Sequence, residues 1–177
     1  MPARRVRGAA RTARAGVLTA LAVALHLFRI PFPLLPALKF DLSGVPLLVL
    51  ASLDLPVVLP SFIIFFAGVL ALSGDPIGAA MKALAEAATA LPYAALGSRG
   101  LALAGAAATA ARISTMCLAN YYVLPYWMIW AGWARSLDVA RAYAVAVTPY
   151  IALFNAIAGA YTVLLGHLSM AYAGRRA

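Results

Sequence analysis

Apolar residues fall into five long blocks along this chain, at about 15–28, 45–72, 77–97, 100–119 and 140–173. A helix needs about 20 residues to cross about 30 Å of hydrocarbon, and most of these blocks reach that length. The first block is short, but Arg14 and Arg29 stand at its ends and can snorkel to the interface. The second block carries the one interruption that changes the count, Asp54-Leu55-Pro56. The proline disfavours helix at Leu55, and an acid is costly at membrane depth. The block therefore reads as two short helices, about 44–53 and 56–72, and the pattern predicts six helices. Helices this short cross only if the bilayer thins or if neighbours enclose them.

The turns agree with that division. Ser73-Gly74-Asp75-Pro76 offers a glycine stop, an acidic cap and a proline at the first helical position. Gly97-Ser98-Arg99-Gly100 reads as a tight turn. Residues 120–137 are expected to form an outer segment, rich in Tyr121, Tyr122, Tyr126, Trp127, Trp130 and Trp133. The last helix is expected from about 138 to 172, longer than a bilayer is thick, so it must tilt or project.

Charge then orients the bundle. The chain has 177 residues, of which 65% are apolar and only 11% charged, with a net charge of +9. Seven of the positive charges lie in the tails: Arg4, Arg5, Arg7, Arg11, Arg14, Arg175 and Arg176. That leaves +2 for the body. The positive-inside rule places both tails in the cytoplasm, which six crossings satisfy and five do not. The expected organisation is a basic tail (1–14), one six-helix transmembrane domain (15–173) and a short cytoplasmic tail (174–177). The basic residues flank apolar spans and lack interleaved aromatics, so no nucleic-acid partner is expected. No small-residue cleavage site follows the first block, so it is not read as a signal peptide. Cys117 stands alone in an apolar span and implies neither a disulfide nor a thiolate metal site.

Catalytic chemistry is not legible. The five carboxylates (Asp41, Asp54, Asp75, Glu86, Asp138) are scattered, and His26 and His167 lie near opposite ends of the chain. No zinc-protease, nucleophile-elbow or phosphate-loop motif occurs. The expectation is a protein that is not an enzyme and holds no metal or resident cofactor.

The polar residues inside apolar blocks are the informative ones, because each is costly there. Asn155 shares a helix face with Ile151, Ala158, Gly159 and Thr162, beside a small-residue stripe of Ala152, Ala156 and Ala160. It either hydrogen-bonds another helix or holds a ligand group. Asn120 is expected at the outer end of the fifth helix, among aromatics that suit an interfacial belt or ligand stacking. Arg112, about 12 Å deeper on an ideal helix, must pair with Glu86, with backbone carbonyls, or with a wet cavity. Gly16, Ala20 and Ala24 repeat every fourth residue, a groove suited to close helix approach, either internal or from a partner.

Three segments resemble one known family. Lys39-Phe40-Asp41-Leu42-Ser43-Gly44-Val45-Pro46-Leu47-Leu48 is similar to the loop entering the second helix of substrate-binding (S) components of energy-coupling-factor (ECF) vitamin transporters, especially the riboflavin type. Met116-Cys117-Leu118-Ala119-Asn120-Tyr121-Tyr122 resembles their M-x-x-x-N-Y-F/Y stretch, and Pro149 to Gly159, with Phe154-Asn155, their final-helix P…F-N-x-x-K-G segment. In order and spacing the likeness runs from about 15 to 172. It implies an all-α, six-span, multi-pass cell-membrane protein that captures a vitamin, riboflavin favoured, near the outer face. Delivery inward would need a T-type membrane subunit and two ABC ATPases, all among membrane lipids. Substrate contacts are implied at Asn120 and Asn155, with Lys39, Asp41, Tyr121 and position 158 completing the set. Gly16, Ala20 and Ala24 would dock on the T-type subunit.

One departure stands out. The family's lysine three residues after the final-helix asparagine is Ala158 here. Either Lys39, Lys82 or Arg112 substitutes for it, or the cargo is another small vitamin such as pantothenate. A membrane structural or assembly protein is the rival from another class, with its polar residues acting only as helix glue. A membrane transferase would need the clustered acids or histidines that are missing.

Overall fold

A computed structural model of the chain describes residues 2–174, with side chains described from residue 8. The side chains of Arg4, Arg5 and Arg7, and Arg175 and Arg176 of the C-terminal tail, lie outside the described residues. Six helices make up the fold: α1 (Pro2–Leu25), α2 (Gly44–Leu53), α3 (Leu55–Ser73), α4 (Pro76–Leu96), α5 (Leu101–Trp130) and α6 (Leu137–Gly174). A two-stranded antiparallel ribbon, β1 (Ile30–Pro31) and β2 (Lys39–Phe40), lies between α1 and α2. A single 3₁₀ turn, Gly97–Arg99, joins α4 to α5.

The break at Asp54 is real and has a partner. α2 ends there with the Asp54 N–H donating to the Leu50 carbonyl, and α3 restarts at once with Pro56 in its first turn. From the adjacent α1, Arg11 forms an ion pair with the Asp54 carboxylate. Gly74, at φ 66°, ends α3 in the left-handed region. Asp75 then caps α4, its carboxylate accepting from the backbone N–H groups of Ile77 (3.1 Å) and Gly78 (2.9 Å).

The fifth helix differs from expectation. It does not stop near Asn120 but continues ten residues further, through Pro125 to Trp130. Only residues 131–136 connect it to α6, with Gly132 at φ 73°. The aromatic-rich stretch is thus mostly helix. A proline blocks only its own N–H and crowds one carbonyl, which a helix supported by neighbours can absorb.

α5 packs along both α4 and α6, while short α2 sits among α1, α3, α4 and α6. Around it lies an apolar core of Leu47, Leu48, Leu50, Phe65 and Val69. Gly159 lets α6 approach α5 closely, since a Cβ there would sit 3.1 Å from Thr109. The face of α6 carrying Ile151, Asn155, Ala158, Gly159 and Thr162 is buried; the neighbouring Ala152, Ala156 and Ala160 lie at its edge, and Ala160 is exposed. That stripe is not the close-packing surface.

The outside is apolar too. Leu59, Ile63 and Ile64 of α3 are 60% exposed or more, as suits a surface solvated by lipid rather than water. α3, α5 and α6 are each long and apolar enough to cross a membrane. Connections alternate between the two ends of the bundle. One end gathers His26, the β-ribbon and the 73–78 turn, and the other gathers Arg11, Asp54, the 97–99 turn and His167.

Candidate functional site

A cavity of about 320 Å³ opens at the ribbon end of the bundle. Four of the residues singled out from sequence line it together: Lys39 and Asp41 from the ribbon segment, Asn120 from α5 and Asn155 from α6. His26, Arg29, Lys82 and Arg112 join them, over an apolar wall that includes Val69, Met81, Met116 and Phe154. This mix of apolar surface and a few placed polar groups is the usual composition of a small-molecule pocket.

The ribbon explains how one short segment serves two surfaces. Its register pairs Ile30 with Phe40 and Pro31 with Lys39. Side chains alternate along a strand, so Arg29, Lys39 and Asp41 share one face and Ile30 and Phe40 the other. The first face lines the cavity; the second borders an apolar crevice walled by Phe28, Ile157, Tyr161 and Leu165, which Arg29 and Asp41 also reach. Phe40 also stacks on Phe154, with centroids 4.6 Å apart, and Tyr161 donates from its hydroxyl to the Asp41 carbonyl.

Asp41 is 5% exposed and fully engaged. One carboxylate oxygen accepts from the Ser43 N–H (2.9 Å), the Ser43 hydroxyl and the Lys82 ammonium (2.9 Å). The other lies 2.9 Å from His26 Nδ1. Burial alone would raise the carboxyl's pKa, but the His26 bond, the Lys82 charge and the Ser43 bonds outweigh it. The acid is held well below the usual carboxylate range.

From Asp41 a chain of charges runs into the bundle. Lys82 bridges Asp41 to Glu86, reaching Glu86 Oε1 at 2.6 Å. Arg112 meets the same carboxylate at 2.9 Å (Nη1 to Oε2) and 3.3 Å (Nη2 to Oε1). The guanidinium also donates to the Thr89 hydroxyl (3.1 Å) and, through Nε, to the Asn155 side-chain oxygen (3.1 Å). Glu86, Arg112 and Asn155 are each 2–3% exposed. Such a chain is tolerable only because nearly every member is hydrogen-bonded.

These contacts separate the two asparagines. Both ends of the Asn155 amide are occupied, by Arg112 and by the Ile151 carbonyl. Asn120 donates to the Met116 carbonyl, and its oxygen has no partner among the described residues. The remaining two positions do not line the cavity. Tyr121 is 47% exposed and packs edge-on against Tyr122, and Ala158 is buried in the bundle. A cation does stand beside Asn155, but it comes from Arg112 on α5. Tyr122, Tyr126, Trp130 and Trp133 are all well exposed and also stand outside the cavity, which favours the interfacial belt over ligand stacking.

Sequence reasoning missed two members. His26, to which the sequence assigns no site role, touches Asp41 and lines the cavity; nothing in its neighbours signals a partner fifteen residues on. Lys82 appeared only as one possible substitute cation, although its four-residue spacing from Glu86 was a usable signal. Gly16, Ala20 and Ala24 are exposed on the outside of α1, with nothing within 4 Å of a Cβ at Gly16. The groove is therefore not an internal packing surface.

No protein-family model and no curated protein matches this sequence. Three solved chains match it. One, described as the S component of a bacterial ECF transporter, superposes with a TM-score of 0.80 at 23% sequence identity, covering 95% of this chain and 97% of that one. At that identity the likeness establishes a shared fold.

Proposed function

We propose that this chain is the substrate-capture subunit of an ECF-type importer, crossing the cell membrane six times with both termini in the cytoplasm. The observation that carries the reading is the convergence of Lys39, Asp41, Asn120 and Asn155 on one cavity. They come from segments up to 116 residues apart in sequence, on the fold of a solved S component. The cavity lies at the end opposite Arg11 and Asp54, so cytoplasmic termini put its mouth on the outer side.

The role is binding, not catalysis. Apolar walls take the body of a small vitamin and the polar groups fix its orientation. Motif likeness favours riboflavin as cargo, with pantothenate or another small vitamin as the alternative. A T-type membrane subunit and two ATPases supply the power stroke, and the exposed groove of Gly16, Ala20 and Ala24 is where the T-type subunit docks. Reconstitution of the chain with such subunits in liposomes tests the proposal. Vitamin uptake that requires ATP supports it; an assembled complex that imports none of a vitamin panel contradicts it.

A further inference from the structure

The cavity is charged in a particular way. Arg29, Lys39, Lys82 and Arg112 line it, against Asp41 and Asp75. Glu86, behind Lys82 and Arg112, raises the carboxylates to three. Asp75 is engaged in capping α4. Neither inner cation is saturated. An ammonium has three N–H groups, and Lys82 uses two of them, on Asp41 and Glu86. A guanidinium has five, and Arg112 leaves one Nη2 N–H without a partner among the described residues. The two cations touch one common atom, Glu86 Oε1, so the ammonium and the guanidinium are neighbours.

Arg112 is 3% exposed, so its spare N–H cannot turn to bulk water. A buried cationic donor left unmatched is costly, and an anionic oxygen is its strongest complement. At the mouth, Arg29 and Lys39 are exposed on one ribbon face, and no carboxylate among the described residues pairs with either. They add a positive field over the entrance, of the kind that steers anions inward.

We infer that the cargo carries an anionic oxygen group, carboxylate or phosphate, which seats between the spare donors of Lys82 and Arg112. The inference rests on the capture-subunit reading and deepens it. Of the cargos named above, the charge geometry favours the acidic alternative, such as pantothenate, over riboflavin, which motif likeness favours but which is neutral.

Small molecules extracted from the full chain, purified from cells in mild detergent, are identified by mass spectrometry, where fragmentation separates carboxylate from phosphate. Calorimetry then compares two matched pairs: pantothenate with its neutral alcohol, and riboflavin phosphate with riboflavin. The expected result is an extracted acid, and at least tenfold tighter binding of the acid member in one pair. Lys82→Gln removes an ion-pair partner and can unfold the chain, so the double substitution Arg29→Gln and Lys39→Gln, confined to exposed positions, serves as the second probe. It should slow association of the acid severalfold at low salt and flatten its salt dependence. A neutral extracted molecule, or neutral probes that bind as well as their acids, overturns the inference and leaves the capture reading standing. No extracted molecule and no binding of any probe counts against both.

Discussion

Arg112 on α5 and Glu86 on α4 meet inside the bundle at 2.9 Å, each only 2–3% exposed. The pair fixes α4 against α5, and through Asn155 it reaches α6 as well. Removing one partner of a buried ion pair leaves the other desolvated and unbalanced, at a cost of about 3–5 kcal/mol. Arg112→Met should therefore lower thermal stability strongly in detergent. Adding Glu86→Gln should recover part of the loss, because the excess negative charge is then gone and Lys82 still balances Asp41. A single substitution that leaves the melting temperature unchanged would show that the pair does not hold the bundle together.

Acid should loosen the ribbon end. The Asp41 carboxyl titrates at about 3.9 in an unfolded chain and well below that in the folded one. Between those values the unfolded state binds a proton that the folded state does not, so stability rises with pH there. The contribution is fully present above the unfolded value and is lost as pH falls towards the folded one. Melting curves from pH 7 downward should drop progressively below about pH 5. Asp41→Asn should be less stable at pH 7 and show a shallower drop; equal slopes in the two proteins would remove Asp41 as the cause.

Much of this fold was legible because its signals are local. Pro56 beside Asp54 announced the α2–α3 break, and Gly74-Asp75-Pro76 announced the start of α4, each by chemistry within four residues. The end of α5 was not legible. Pro125 and the surrounding Tyr and Trp residues read as an exposed segment, whereas packing carries the helix on to Trp130. At the site, Asn120 and Asn155 stood out as polar residues in apolar surroundings. Of the charge chain only the Arg112–Glu86 pair stood among the expected alternatives; Asp41 lies 41 residues from Lys82, and nothing local links those two. Only the folded chain brings such acids and bases together.

The exposed groove on α1 makes a separate prediction. Ala20→Trp together with Ala24→Trp adds bulk on the outside of the helix, where these residues do not contribute to the core. The isolated protein should fold and bind cargo as before, yet fail to co-purify with the T-type subunit. Loss of stability in the isolated chain would instead mean that the groove supports the fold.

Orientation can be read by labelling. With Cys117 replaced, an impermeant thiol reagent added outside intact cells should reach Asp75→Cys and miss Ser98→Cys. These positions lie at opposite ends of the bundle, the first beside the cavity and the second near Tyr93 and His167. The reverse pattern would place the cavity mouth in the cytoplasm and contradict capture from outside.

The most direct measurement is native mass spectrometry of the purified protein, comparing wild type with Asn120→Leu and Asn155→Leu. Asn120 lines the cavity and its oxygen has no partner among the described residues, whereas Asn155 also holds Arg112. A small molecule bound one to one should appear on the wild type. It should weaken on Asn120→Leu by about 1–3 kcal/mol with the melting temperature little changed. Asn155→Leu should lose both ligand and stability, because it strands the Arg112 Nε–H. A wild-type protein that carries no small molecule, or an Asn120→Leu variant that retains it undiminished, would contradict capture in this cavity.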